Sequence, residues 1–137
     1  MGKLVRFGVS IEEDLLKKFD DFIKEENYPT RSKAIGDLIR ESLIKREWVK
    51  GEEVAGSIIL VYNHHKKEIV DKLTDVQHNY HHIVLSTLHI HLDYDNCLEI
   101  VAVRGKAKEV EKLGKILKST KGVKHGSMII TTTGKEI

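Results

Sequence analysis

Residues 83–104 read IVLSTLHIHLDYDNCLEIVAVR, and this stretch decides the fold of the second half of the chain. Residues 83–92 and 97–104 are β-rich runs, and Asp93-Tyr94-Asp95-Asn96 between them is a turn signal, so a hairpin is predicted. Before it, residues 54–63 are strand-like from Val54 to Tyr62. Residues 65–81 carry a helical stripe of Ile69, Leu73, Val76 and Tyr80. After it, Ala107, Val110, Leu113 and Leu117 repeat helical spacing over residues 106–118. Gly122 ends that helix, and residues 127–133 form a last strand rich in Ile and Thr. The order β-α-β-β-α-β is the ferredoxin-like split unit.

The first half has another rhythm. Residues 4–9 alternate, with Val5, Phe7 and Val9 on one face and Leu4, Arg6 and Gly8 on the other, which predicts a short strand. Ser10 and Glu13 then have capping-box spacing, so a helix is expected to start at once, with the stripe Leu15, Leu16, Phe19, Phe22 and Ile23. Asn27-Tyr28-Pro29 breaks it, and Thr30 or Ser32 can cap a second helix with the stripe Ile35, Leu38, Ile39 and Leu43. That helix frays around Trp48, and Gly51-Glu52-Glu53 reads as a linker. A lone strand leaves both edges unpaired, and both helices still need a partner face. A second copy solves both problems with a two-stranded ribbon over four helices, the ribbon-helix-helix dimer. The fold class expected is α+β, with a ribbon-helix-helix domain over residues 1–50 and a βαββαβ domain over 54–137.

Bulk properties narrow the function. With 137 residues, 40% hydrophobic and 32% charged, the chain suits one medium domain or two small ones, and two small ones would lean on oligomerisation. No charged-then-apolar leader and no long apolar run are present, so a soluble, cytoplasmic protein without a membrane partner is expected. The net charge is +2, and Lys+Arg barely exceeds Asp+Glu in either half, so a nucleic-acid surface would be a local patch rather than a basic domain.

The chemistry lies in the histidines and the one cysteine. His89 and His91 are two apart on a predicted strand and share a face. If the hairpin loop spans residues 92–96, His91 sits opposite Cys97, and Cys97 and Glu99 join that face. Two imidazoles and a thiolate make three quarters of a transition-metal site. His78 points away from the apolar stripe of its own helix, at about 100° per residue, which suits a ligand reaching a neighbouring subunit. His64, His65, His81 and His82 read as solvated surface, with weak accessory metal sites as the alternative, and His125 as a cation at a helix C-terminus. Tetrahedral N/S sites favour zinc, and square-planar or tetragonal N-rich sites favour nickel or copper, so the residues alone specify a late transition metal.

Assembled in this order, the chain resembles the NikR family of nickel-responsive regulators. The resemblance is carried by Thr30-Arg31-Ser32-Lys33-Ala34-Ile35, Gln77-His78, Leu88-His89-Ile90-His91-Leu92, Asn96-Cys97-Leu98-Glu99-Ile100 and Gly122-Val123-Lys124-His125-Gly126. It implies an ACT-like C-terminal domain and a homotetramer, a dimer of ribbon-helix-helix dimers. It also implies a square-planar Ni(II) site at the subunit interface, with His89, His91 and Cys97 from one subunit and His78 from another. Tyr62, Gln77 and Glu99 then orient the ligands.

The resemblance further assigns Arg6, Gly8 and Ser10 to base contacts from the ribbon in the major groove, although Gly8 has no side chain to read a base. Lys66 and Lys67 match a pair that contacts the DNA backbone. A secondary cation site between the domains is also implied, where Asp37 matches but Lys33 stands in place of a carboxylate. The function expected is nickel-dependent repression of nickel-uptake genes through a palindromic operator on double-stranded DNA, without catalysis and with no small organic ligand. Sensing of copper or zinc on the same scaffold, and an amino-acid-binding ACT module, are the alternatives.

Overall fold

The computed structural model describes residues 2–135, and the chain divides into two compact units, Met1–Glu41 and Ser42–Ile137. In the first unit, residues 2–12 carry neither helix nor strand, and the expected strand over 4–9 has no ladder partner among the described residues. Its apolar residues lie open, from Leu4 (96% exposed) to Phe7 (69%) and Val9 (60%). Helix α1 spans Glu13–Glu25 and begins later than the Ser10 capping box requires. The backbone is still extended at Glu12, which is the N-cap and has no side-chain cap, while the Leu16 amide donates to the Glu12 carbonyl at 3.0 Å.

The end of α1 is set by Asn27, whose φ of 60° is left-handed. Tyr28 N–H reaches the Ile23 carbonyl and Asn27 N–H the Lys24 carbonyl, the paired bonds of a Schellman motif. Pro29 therefore follows a helix that has already stopped. Helix α2, Arg31–Val49, is capped by Thr30, whose Oγ1 accepts from the Lys33 amide at 3.1 Å. Arg31 grips Asp20 of α1 through two bonds of 2.9 and 2.8 Å. Leu15, Leu38 and Ile39 remain exposed in this unit, so its apolar stripes lack the partner face that one chain cannot supply.

The second unit holds β1 (Glu53–Asn63), α3 (Lys67–Asn79), β2 (Val84–His91), β3 (Asn96–Lys106), α4 (Ala107–Ser119) and β4 (Val123–Thr131). The sheet is antiparallel in the order β2-β3-β1-β4, which leaves β2 and β4 as edges. Its core, on one face, joins Val54, Ile58, Leu60 and Tyr62 of β1 and Val101 and Val103 of β3 to Ile69 and Leu73 of α3 and Val110, Leu113 and Leu117 of α4. On the opposite face Leu88 and Ile90 of β2 and Ile129 of β4 are exposed.

The last strand begins at Val123 rather than residue 127, directly after the turn at Gly122 (φ 99°). His125 consequently lies inside β4 opposite Val61, away from any helix terminus, so a dipole role does not apply. Among the described residues no helix is long and apolar enough to cross a membrane.

Candidate metal centre

The hairpin has the loop length that brings donors together. His91 pairs with Cys97 and His89 with Glu99, so all four side chains leave the sheet on one face. Their exposure differs, because β3 lies within the sheet and β2 at its edge. Cys97 is 1% and Glu99 2% exposed, while His89 and His91 are open to solvent.

Glu99 is the hub. Its Oε1 accepts from the Tyr62 hydroxyl at 2.6 Å and lies 2.7 Å from His89 Nε2, and its Oε2 accepts from Gln77 Nε2 at 2.5 Å. Gln77 Oε1 in turn accepts from Thr87 Oγ1 at 2.8 Å. A buried carboxylate persists only with such donors around it. Burial, reinforced by the Glu99 charge, raises the Tyr62 phenol well above its usual range, so it stays a donor. Burial also pushes the Cys97 thiol up, opposed in part by a hydrogen bond from the Ile90 backbone.

His91 lies flat on His64, with ring centroids 4.4 Å apart and 9° between planes. His64 and His65 both aim Nε2 at the Tyr94 carbonyl, at 2.9 and 2.8 Å, clasping the β1–α3 loop to the hairpin turn. Sequence alone placed these two histidines in solvent, and nothing in their spacing announces the clasp. His78 is exposed near the end of α3 and lines, with Gln77, His89 and Glu99, an open groove of about 390 Å³. Within one chain, therefore, Tyr62, Gln77, His89 and Glu99 meet, Cys97 lies beside them, and His91 and His78 stand off. Among the described residues no three His, Cys, Asp or Glu side chains are gathered closely enough to hold a metal ion.

Arg6, Gly8 and Ser10 lie on the exposed N-terminal segment, and a Cβ added at Gly8 would meet nothing within 4 Å. Lys66 is the N-cap of α3 and Lys67 its first residue, both exposed.

Residues 55–131 match the NikR C-terminal nickel-binding domain. The chain belongs to the NikR family. Nickel-responsive regulators from Syntrophus aciditrophicus and Geobacter sulfurreducens are each 53% identical to it, over 98% of both chains for the first and over 100% of this chain and 99% of the relative for the second. A third, from Pyrococcus furiosus, is 51% identical over 98% of both. A solved structure of an uncharacterised Thermotoga maritima protein superposes with a TM-score of 0.52 over 58% of this chain and 98% of that one, at 11% identity, a likeness of fold alone. NikR proteins are regulators rather than enzymes, and their metal is Ni(II). The donor chemistry fits that ion: imidazole and thiolate suit late transition metals, and His91, Cys97 and His89 share one face of one hairpin.

Proposed function

We propose that the chain is a nickel-responsive repressor of nickel-uptake genes that binds a palindromic operator as a homotetramer. In this reading residues 1–50 form a ribbon-helix-helix DNA-binding domain and residues 54–137 an ACT-like domain that holds the metal and the tetramer together. The observation that carries it is the register that sets His91 opposite Cys97 and His89 two residues away on the same face. These three are the ligands from one subunit, and the exposed His78 is the ligand given to another. Nickel, when bound, supplies the tie between two subunits.

The chain's own residues do the rest. To hold the ion, Cys97 would give its proton to solvent, His89 would turn from Glu99, and His91 would leave its stack on His64. Glu99 stays fixed by Tyr62 and Gln77, so the pocket wall keeps its shape while His89 moves. Ordering α3 around His78 selects a subunit arrangement in which paired N-terminal segments meet one operator. Arg6 and Ser10 read bases there, Gly8 lets the backbone approach without reading one, and Lys66 and Lys67 neutralise phosphates. The apolar N-terminal segment and the apolar sheet face support pairing of this kind, since both lie open to solvent among the described residues.

The test is operator binding with and without nickel, for wild type and His89→Ala. Tight binding only by the nickel-loaded wild type is expected, and equal binding in all four conditions would refute the switch. A square-planar, diamagnetic nickel spectrum is the companion result, and preferential tetrahedral zinc binding would count against nickel.

A further inference from the structure

The first turn of α2 breaks a local rule. Thr30 caps the amide of Lys33, so Lys33 occupies the third helical position, where a Glu would complete a capping box. The positive end of the helix dipole also favours acids there. The first turn instead holds Arg31 and Lys33 and no acidic residue. A lysine kept at a position that disfavours it points to a task for its ammonium.

That ammonium sits on Asp37. Lys33 Nζ is 2.7 Å from Asp37 Oδ1, and Arg40 Nη1 reaches the same oxygen at 3.2 Å. Lys33 above all, with the nearby Tyr28 hydroxyl and Arg40, holds the Asp37 carboxyl below the usual carboxylate range. One negative charge thus faces two positive ones, and an arriving cation would add a third. The secondary cation site implied by the family resemblance needs carboxylates here, and the residues present do not fit it.

We infer that Lys33 is a built-in cation: its ammonium takes, on Asp37, the place a metal ion holds between two carboxylates, so the N-terminal half needs no such ion. That this half binds DNA rests on the function proposed above, but the substitution of ammonium for ion does not.

The experiment uses the full chain, nickel-free, melted by circular dichroism in tetramethylammonium chloride, potassium chloride or calcium chloride at equal ionic strength. Wild type and Asp37→Asn are expected to show the same small difference between salts. Lys33→Glu regains the capping-box residue and sets two carboxylates one turn apart. Its melting temperature should rise by several degrees when potassium or calcium reaches about 100 times its Kd, and Asp37→Asn in that background should abolish the rise. A cation response in wild type that Asp37→Asn removes would overturn the inference. So would a Lys33→Glu chain with no response to either ion. Neither outcome depends on DNA, so a failure of the repressor reading remains separate. With an operator in hand, wild-type binding should be equal in potassium and tetramethylammonium, with nickel present throughout.

Discussion

Tyr62→Phe probes the hub around Glu99 with one missing atom. The ring stays, and the buried carboxylate loses its 2.6 Å donor while keeping Gln77 and His89. A hydrogen bond to a charged group contributes about 1.5–3 kcal/mol, and at 1% exposure no water replaces the hydroxyl. For a domain the size of Ser42–Ile137 this lowers the melting temperature by roughly 6–24 °C. Nickel affinity should fall about 10–100-fold, because a carboxylate freed on one side follows His89 and holds it more tightly. Calorimetric melting of the nickel-free chain and a chelator competition read the two effects. A cycle with Glu99→Gln isolates the pair, with a coupling of about 1.5–3 kcal/mol expected. If Tyr62→Phe melts with wild type and the cycle shows no coupling, Glu99 is not held as described and its role as an anchor fails.

Three further outcomes follow from the same structure. Nickel affinity should rise with pH by about tenfold per unit, and go on rising past the ordinary thiol range, because burial raises the Cys97 thiol and its proton competes with the metal until it leaves; a flat profile in chelator competition would refute thiolate ligation. Gly122→Ala should cost about 1–3 kcal/mol in denaturant unfolding, since φ is 99° and the added methyl would strike Ile69, and a change under 0.5 kcal/mol would deny that turn. Ile90→Glu, on the exposed sheet face, should dissociate the proposed tetramer to dimers in sedimentation velocity by placing an unpaired charge in the proposed interface, and an unchanged mass would count against that interface.

Much of the architecture is legible in the sequence, for identifiable reasons. The βαββαβ order follows from local periodicity, and the odd number of residues between His91 and Cys97 sets which side chains share a face, so strand alternation puts His91 opposite Cys97. The start of β4 escapes the same reading because Lys124, His125 and Gly126 give its first half no apolar alternation. Ser10 misleads in the other direction, since capping-box spacing does not fix where the backbone turns helical. What lies beyond the sequence is tertiary. Helices cover β3 but leave the edge strand β2 open, and that decides why Cys97 and Glu99 are buried while His89 and His91 are not. The contact of His89 with Glu99 and the stack of His91 on His64 likewise belong to the folded chain.

Cys97 is the most easily damaged of the proposed ligands, and it is the one that solvent cannot reach. Oxidants attack the thiolate rather than the thiol, and they need access to it. A cysteine kept neutral and covered until metal arrives is therefore sheltered during the interval when the regulator waits empty. The fold delays the loss of that proton, and in return the sensor stays chemically intact between one exposure to nickel and the next.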